Sequence, residues 1–436
     1  MRLGWNCFTA ALGLALGLAT TACDSTPEGC DYYVEPGEDD QTAIQTAFID
    51  AMDGETVCLA EGEYTLTDPI EISNRTDFTL RGEGMEATTL NFAGQTAGGT
   101  GIDMMNMTNV LIEDLGVIDA AGNGIRIQGS EGIVIRRVRA GWTTESSMEN
   151  GKYAIYPVTS TNVLIEDSEA FNSADAGFYM GQTENCVMRN NLAYGNVAAY
   201  EVENSTNCEV YGNVAENNTG GILVFELPGL PATGGGTWVH DNEVRNNNVD
   251  NFAEEGAIVA FVPRGTGIFV LAANDVEISD NTVTGNEGTG LAVVSWGTVQ
   301  VVDDSLGGED PDYDPWSERV YVHDNTFENN GAMPGGDGSN EADPLWQIRA
   351  LLAGAGVDIA MGLESILWDG LMEEGASESD VLCIQDNGAA SFRDLDVVKL
   401  ATSDPTADTN TDASPHDCTH DGWGEVDLSW AAFADE

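Results

Sequence analysis

Four residues whose side chains are suited to chemistry stand at one fixed distance, six positions, before an Asn or a Gly. A tyrosine ring offers a flat face to a sugar ring, an arginine binds a carboxylate, and a tyrosine or a glutamate beside them can move a proton. The pattern predicts either a saccharide site or an ordinary ladder in which Tyr packs on Tyr and Arg pairs with acid. The four pairs are Arg126 with Gly132, Tyr156 with Asn162, Tyr179 with Asn185, and Glu201 with Asn207.

In the saccharide interpretation the tyrosines are platforms for sugar rings and Arg126 holds a carboxylate. If the bound sugar is also cleaved or epimerised, Tyr156 or Tyr179 is the base and Glu201 belongs to the catalytic set. Lys152 and Asp175 share a second column just upstream.

Four residues are predicted to contact the ligand around this catalytic set. Glu226 belongs to the segment ELPGLP, which is the alternative location for the site. A local basic island, in which five cations fall within 27 positions, supports the first location. The contact residues are Lys152, Asp175, Glu203 and Glu226, and the island consists of Arg126, Arg136, Arg137, Arg139 and Lys152.

The fixed spacing arises from a repeat of about 22 residues, a period typical of stacked units. Cores that alternate apolar and polar residues begin at positions 108, 131, 161, 184 and 206, and each ends at Asn, Asp or Gly. These are features of short strands. Two or three such strands per lap predict an all-β fold, a right-handed parallel β-helix.

The β-helix predicts which side chains point inward. Residues that alternate with the column, such as Ile125 and Phe178, are expected inside, together with Ile165 and Val210, so the column itself is expected to face solvent. Asn191 and Asn213 recur in register and predict an amide ladder at a turn.

Cysteine positions favour an exported protein with disulfide bonds, because six cysteines remain after Cys7 and Cys23 are set aside. Cys186 and Cys208 should lie inward on neighbouring laps with Cα atoms about 4.8 Å apart, either bonded or as two stacked thiols. Cys418 either staples the tail near Cys383 or contributes to a metal site in HDCTH.

The ends of the chain divide it into functional segments. Residues 1–22 read as a signal peptide, and Cys23 as a lipidated first residue, with ordinary signal cleavage as the alternative. A linker is expected over 23–40, a cap with a short helix and the first strand over 41–75, and coils over 76–330. The C-terminal extension, 331–436, is expected to contain a helix from about Leu345 to Met372 and one more coil that carries Cys383.

The chain is strongly acidic, with 74 Asp and Glu against 15 Lys and Arg and a formal charge of −59. Nucleic acid is therefore excluded as a partner, since its phosphates would be repelled. The acidic side chains serve either solubility and salt tolerance or the binding of Ca²⁺. Calcium is the one cofactor that the acidic segments of the chain suggest.

Several longer segments resemble those of a known family: NGKYAIYPV, DAGFYMGQ, NTGGILVFELPGLP, VPRGTGI and ILWDG. They are similar to the bacterial parallel β-helix repeat-containing envelope lipoproteins, within the superfamily that includes pectate lyases. The resemblance covers residues from about 50 to 420. It implies export to the cell envelope, a membrane lipid anchor, an envelope protein partner and, from the wider superfamily, binding or cleavage of carbohydrate.

Three functions remain open at this point. The first is a surface module that binds polysaccharide, and the second is a polysaccharide lyase or epimerase. No residue motif of lyases or of alginate epimerases is found. The third is a structural scaffold that docks its envelope partner through insertions such as ELPGLPATGGG.

Overall fold

The computed structural model describes residues 26–302, 310–336, 342–360, 362–404 and 406–435. Over these ranges the chain is a stack of coils, and the strands of each coil pair in parallel with those of the next. The predicted all-β parallel β-helix is therefore confirmed. The predicted signal peptide and the lipidated Cys23 lie outside the described residues.

One side of the stack, called sheet 1, is an 11-stranded parallel ladder. Each strand belongs to a different coil, so equivalent residues of successive strands lie in columns along the stack. The strands are Ile70–Ser73, Thr100–Met105, Asn123–Gln128, Ile155–Val158, Ala176–Gly181, Ala198–Glu203, Gly220–Phe225, Thr266–Leu271, Thr289–Val294, Ile366–Trp368 and Phe392–Asp394.

A second ladder has two branches, because two long strands turn a corner and take part in both. The corner residues Asp114 and Arg137 have φ values of 58° and 51°. The first branch, called sheet 2, contains Tyr32–Val34, Thr56–Leu59, Thr76–Arg81, Thr108–Ile118, Glu131–Gly141, Thr161–Glu166, Glu184–Arg189, Thr206–Tyr211, Gly235–His240, Asn274–Ser279, Glu318–His323 and Leu382–Gln385. The other branch, called sheet 3, adds Gly62–Thr65, Thr88–Asn91, Glu169–Phe171, Leu192–Tyr194, Val214–Glu216, Glu243–Arg245, Thr282–Thr284 and Thr326–Glu328.

The repeat corresponds to this stacking residue by residue. Thr108 pairs with Glu131, Glu131 with Thr161, Thr161 with Glu184, and Glu184 with Thr206. These are the first residues of the five repeat cores. Each repetition of the sequence is therefore one coil.

Inward-facing residues of the strands fill the interior of the stack. Ile165 and Val210 are fully buried, as predicted, and so are Ile125 and Phe178. Phe178 stacks on Tyr200 of the next coil with ring centroids 5.1 Å apart. Each such side chain contributes roughly 1.5–3 kcal/mol through removal of its apolar surface from water.

Two ladders of buried asparagines run along the stack. In each step the amide nitrogen of one Asn donates to the side-chain oxygen of the Asn in the next coil, over 2.9 to 3.1 Å. The first ladder confirms the prediction, and the second was not predicted. The first contains Asn191, Asn213, Asn242, Asn281, Asn325 and Asn387, and the second Asn196, Asn218, Asn247, Asn286 and Asn330.

The N-terminal end of the stack is covered by helix α1, Asp40–Asp50, which is the expected cap helix. Asp39 caps the helix by accepting a hydrogen bond from the backbone N–H of Thr42 over 3.1 Å. Phe48 of the helix packs edge-on against Phe78, with centroids 5.5 Å apart. The helix therefore shields the first coil from water.

The remaining helices are short and lie toward the C-terminal end. The predicted helix to Met372 is wrong beyond Gly354, because Gly356 and Gly362 take positive φ values and Ile366–Trp368 joins sheet 1. The predicted final coil with Cys383 is present, since Leu382–Gln385 pairs with sheet 2. The helices are α2, Trp296–Val302; α3, Pro344–Gly354; α4, Glu378–Val381; and α5, Val397–Ala401; the 3₁₀ segments are Ile258–Phe261, Ser414–His416 and Ser429–Asp435.

Three disulfide bonds are present among the described cysteines. Cys186 and Cys208 are bonded, with their Cα atoms 4.5 Å apart on adjacent coils. Cys418 is bonded to Cys383, so a disulfide takes the place of the alternative metal site in HDCTH. The third bond joins Cys30 and Cys58.

The chain runs back along the outside of sheet 2 after Cys418, and we call residues 419–435 the strap. Near its end, the backbone oxygen of Ala434 accepts a hydrogen bond from Arg136 over 2.7 Å. The apolar side chains of the strap cover a row of one residue from each of four coils. The row is Leu111, Val134, Leu164 and Val187.

Candidate functional site

The predicted column lies on the outer side of sheet 1. Arg126 pairs in register with Tyr156, and Tyr179 with Glu201, while the pairing of Ile155 with Phe178 places Tyr156 beside Tyr179. The residues that alternate with the column are buried inside the coil. The four predicted residues therefore do share one column.

Exposure along this column is uneven. Arg126 and Tyr156 are half-buried, whereas Tyr179 and Glu201 are 4% and 1% exposed. The predicted solvent exposure is wrong for these last two. The cause is a cover formed by the insertions around Leu227 and over 252–262, which pack against the outer face of sheet 1.

An open groove of about 720 Å³ lies over the exposed, N-terminal part of the column. It crosses five successive coils, each of which contributes a charged residue. These are Glu71, Asp103, Arg126, Lys152 and Asp175. The groove therefore brings the second predicted column, Lys152 and Asp175, together with Arg126 of the first, whereas the other three residues of the first column do not line it.

Glycines keep one wall of the groove low. A Cβ atom at Gly122 would lie 2.5 Å from the backbone oxygen of Gly99, and one at Gly151 would lie 2.0 Å from that of Gly122. Successive coils approach too closely there for any side chain. Backbone amide and carbonyl groups consequently border the space beside the polar side chains of Asn123 and Asn150.

Both cations of the groove are already paired with acids. Arg126 donates to Asp103 through Nε–Oδ1 at 2.9 Å and Nη2–Oδ2 at 2.5 Å. Lys152 Nζ lies 3.2 Å from Glu254 Oε2. Because the groove holds four carboxylates against these two cations, it has no spare positive charge for an anionic ligand. Arg126 thus follows the alternative interpretation, in which Arg pairs with acid.

Asp175 is the acid of the groove whose proton affinity is most clearly changed. It lines the groove, although it is almost fully buried. Burial raises the pKa of Asp175 to about 7, and the neighbouring Tyr153 hydroxyl and Lys152 ammonium oppose that rise. A carboxyl that keeps its proton near neutral pH can donate it to a bound molecule.

Three tyrosines lie beside a second, covered group of acids. The rings of Tyr153, Tyr156 and Tyr179 lie 4.5 to 5.0 Å apart. The Tyr179 hydroxyl donates to Glu203 Oε1 over 2.6 Å. Glu201 Oε2 has no hydrogen-bond partner within the described part of the chain.

The covered acids favour the neutral form. Burial raises the pKa of Glu201 well above its usual range, and the nearby Asp175 and Glu203 carboxyls raise it further. Burial also raises the pKa of Glu203 against the hydrogen bond from Tyr179. Glu201 is therefore a buried acid that holds its proton more tightly than an exposed glutamate does.

The tyrosines do not have the properties of a base. Burial raises the pKa of Tyr156, and it raises that of Tyr179 well above 10, with Glu203 adding to both shifts. A tyrosine whose pKa is raised stays protonated at neutral pH and donates hydrogen bonds. These raised pKa values therefore disfavour the lyase mechanism in which Tyr156 or Tyr179 removes a proton.

Glu226 is not part of the groove. Its Oε2 accepts a hydrogen bond from the backbone N–H of Gly234 over 2.6 Å, and its backbone oxygen accepts one from Tyr313 over 2.8 Å. Burial raises the pKa of Glu226 to about 7. The carboxyl closes the 226–234 loop, which is part of the cover.

The predicted basic island does not form one surface. Arg136 and Arg137 both contact Glu113, and Arg139 contacts Glu169. All three arginines lie in the corner strand between sheets 2 and 3, away from the groove on sheet 1. The prediction of one basic surface relied on proximity in sequence. It was wrong because residues of one coil that are only ten positions apart lie on different sides of the stack.

Some groove residues were missed although the sequence contained a signal for them. Asp103 lies six positions before Asn109, so the same spacing rule extends to it, whereas Glu71 lies six before Asp77 and follows the rule only if Asp is accepted in place of Asn or Gly. Glu254 carries no such signal, because it belongs to an insertion outside the repeat. Tyr153 lies three positions before Tyr156 in the connection that leads into the strand.

Neither a metal centre nor a membrane span is found in the part of the chain that the structure describes. No three His, Cys, Asp or Glu side chains there converge as metal ligands would. No helix among the described residues is long and apolar enough to cross a bilayer.

Several solved structures have a similar fold. The A-module of mannuronan C-5 epimerase AlgE4 from Azotobacter vinelandii is 18% identical, covers 82% of this chain and 95% of its own, and has a TM-score of 0.50. A polygalacturonase from Erwinia carotovora ssp. carotovora is 13% identical over 71% of this chain and 95% of its own, with a TM-score of 0.46. At these identities the likeness concerns the fold alone.

Comparison of sequences gives the family. No curated protein sequence matches the chain. The protein-family model of the right-handed β-helix region matches residues 78–229 and 143–306. Together these ranges span more than half of the 436 residues. Stacking, register and sequence agree, and the chain belongs to the family of right-handed β-helix proteins.

Proposed function

We propose that the protein binds a polysaccharide of neutral sugars in the groove on sheet 1. The observation that carries the proposal is a polar groove across five coils in which both cations are already paired with carboxylates. Strands of successive coils are about 4.8 Å apart, so the groove extends for roughly 20 Å, enough for several linked rings.

The chemistry of the lining suits sugar hydroxyl groups. Asp175, Asn123 and Asn150 offer acceptors and donors side by side, and the glycine wall adds backbone groups. Tyr156, half-buried beside Arg126, is the aromatic ring nearest to the groove in the column. A polyuronate would face the carboxylates of Glu71, Asp103 and Glu254 beside cations that are already paired, which is why we assign a neutral chain. The epimerase module, whose name refers to mannuronan, adds support for a polysaccharide only by analogy of fold.

Binding measurements with paired variants test this proposal. Neutral glucans and galactans are compared with alginate and polygalacturonate by affinity electrophoresis and calorimetry, and we expect the neutral chains to bind. Lys152→Ala combined with Asn123→Ala should raise Kd about tenfold, because two hydrogen-bonding groups are lost. Lys399→Ala is the matched control, since Lys399 is the only other lysine of the chain and pairs with Asp396 at 2.8 Å, outside the groove. A preference for polyuronates, or equal Kd values for all variants, would overturn the assignment.

Cleavage of a glycosidic bond is the second candidate, favoured by one observation. Asp175 borders the groove with a pKa of about 7, so it could give its proton to the glycosidic oxygen as the C–O bond breaks, while a water molecule adds to the anomeric carbon and releases its own proton to solvent. Asp175→Asn should abolish the release of reducing ends and retain binding. Release at the wild-type rate by this variant would remove Asp175 from the chemistry.

We also propose that the chain is an envelope lipoprotein anchored through Cys23 and docked to a partner protein of the envelope. The support is the apolar N-terminal segment, the small residues before Cys23 and the insertion ELPGLPATGGG. The anchor would hold the protein at the membrane, where the groove could meet polysaccharide of the envelope.

A further inference from the structure

Two backbone groups of the strap are held by carboxylates on the outside of sheet 2. The N–H of Trp423 donates to Glu277 Oε2 over 2.5 Å, and the N–H of Val426 donates to Glu209 Oε2 over 3.0 Å. Glu209 and Glu277 lie in the same column as the covered apolar row, with Trp238 between them. Along the stack, this column therefore changes from the apolar side chains of the covered row to the two acids that hold the strap.

Each of these acids also contacts a histidine with its other oxygen. His323 Nε2 lies 3.0 Å from Glu277 Oε1, and His323 Nδ1 lies 2.8 Å from Asp324. Both ring nitrogens therefore face carboxylate oxygens. Since a carboxylate only accepts hydrogen bonds, the geometry needs an N–H at both positions, which is the charged imidazolium.

The same arrangement occurs a second time, two coils away. His240 Nε2 lies 3.0 Å from Glu209 Oε1, and His240 Nδ1 lies 2.8 Å from Asp241. His240 is buried between the rings of Tyr211 and Trp238, at 4.9 and 3.8 Å. Both anchors of the strap thus depend on a histidine that must carry two protons.

We propose that His240 and His323 form a pH-dependent latch that holds the strap on sheet 2 while both imidazoles are charged and releases it when they lose a proton. Deprotonation would leave one ring nitrogen of each histidine with a lone pair opposite a carboxylate. Where the lost proton is the one on Nε2, the repulsion would turn Glu209 and Glu277 away from Val426 and Trp423, and the anchors would be lost.

The expected direction follows from the pKa shifts. Burial alone would lower the pKa of His240, but hydrogen bonds to Glu209 and Asp241 raise it above its ordinary value. Burial also acts to lower the pKa of His323, but hydrogen bonds to Asp324 and Glu277 raise it above its ordinary value. A raised folded-state pKa stabilises the docked form fully below the unfolded value near 6.5, and this stabilisation disappears as pH rises through the folded value.

The other charged groups around the latch do not reverse this direction. His420, on the strap, has a pKa lowered by burial and by Arg319, so it is neutral where the latch operates. Arg136 at the far end of the strap holds Asp435 at 3.0 Å and does not titrate in this range. The titratable and charged groups that face the two histidines or the strap beside them are Glu209, Tyr211, Asp241, Asp275, Glu277, Arg319, Tyr321, Asp324, Asp380, His420 and Asp421.

Opening of the latch would uncover the row of Leu111, Val134, Leu164 and Val187. In the docked form the row is closed by strap residues that include Val426 and Ala434. The latch therefore controls whether this apolar surface is available on an otherwise acidic protein.

Hydrogen exchange read by mass spectrometry tests the latch in the intact protein. Exchange of peptides from 419–435 is compared between about pH 6 and about pH 9, values on either side of histidine titration, with labelling times scaled to the intrinsic rate at each pH. We expect protection of the strap to fall at least about tenfold at the higher pH, while peptides from the coils keep theirs. Equal protection of the strap at both values would refute the latch.

Variants assign the effect to the histidines. His240→Gln with His323→Gln removes both titrating rings, so protection of the strap should become independent of pH. Arg136→Gln is the control, because it weakens the other end of the strap and should leave the pH dependence intact. If the double variant does not fold, His323→Gln alone, at the more exposed position, should reduce the pH-dependent loss of protection. Persistence of the full pH response in a folded histidine variant would contradict the assignment.

Discussion

At the scale of single residues, one column of sheet 1 contains residues in two different electrostatic environments. Arg126 is charged, as arginines in proteins are, and Asp103 balances that charge across one coil step. Glu201, three strands further along, lies under the insertions, and burial there raises its pKa well above the usual range of a glutamate. The cover therefore favours the neutral form of this acid.

A glutamine at position 201 should show this difference. Because the folded-state pKa of Glu201 is raised, wild-type stability is present at low pH and lost as pH rises through that value. Glu201→Gln keeps the shape and cannot ionise, so it should match the wild type near about pH 5 and melt at a higher temperature near about pH 9. Thermal melts followed by circular dichroism provide the measurement.

Glu61→Gln is the matched control, because Glu61 is exposed and should change neither melting temperature. A lower melting temperature of Glu201→Gln at both pH values would mean that the carboxyl makes a contact that the amide cannot replace.

At the scale of structural elements, the asparagine ladders connect one coil to the next. Asn213 donates to Asn242 and to the backbone oxygen of Met188, and it accepts from the side chain and backbone of Asn191. One residue thus satisfies buried polar groups on three coils. An apolar side chain there would leave several of them unpaired.

Asn213→Ala should therefore lower the free energy of unfolding by about 3 kcal/mol, from the unpaired groups left behind. The denaturant midpoint of urea unfolding measures it. Asn274→Ala is the control, because Asn274 donates to Asp314 on the exposed side of sheet 2, and its loss should cost less than about 1 kcal/mol. Similar midpoints for the two variants would show that the ladder is not a source of stability.

The sequence predicted those elements that follow the repeat. Alternation of apolar and polar residues determined which side of Ile165 and Val210 faces the core, and the fixed spacing placed Arg126 and Tyr156 in one column. The sequence did not predict the structure of the segments outside the repeat. Insertions do not share the period of the repeat, so they cannot be assigned to a position in a coil. The groove contact of Glu254, the burial of Tyr179 and the strand Ile366–Trp368 all depend on such segments.

At the scale of the whole molecule, the formal charge of −59 sets the conditions for any partner. Long-range repulsion disfavours polyanions, which agrees with the paired cations of the groove. The same repulsion disfavours adsorption of the stack to anionic membrane surfaces. Attachment to such a membrane would therefore depend on the covalent lipid at Cys23.

Metabolic labelling of cells with a palmitate analogue tests that attachment. The wild type should be labelled and Cys23→Ala should not, because the cysteine would be the acylated first residue of the mature protein. Cys30→Ala is a suitable control, since Cys30 is bonded to Cys58. Equal labelling of the wild type and Cys23→Ala would remove the proposed anchor.

The strap has a consequence for how the chain folds. Contacts between neighbouring coils join residues about one repeat apart, such as the 22 positions between Asn191 and Asn213, so coils can assemble in order during synthesis. Contacts of the strap join residues 217 and 299 positions apart. A nascent chain would therefore complete nearly the whole stack with the apolar row still open, and the strap, which is synthesised after the coils it covers, would close it.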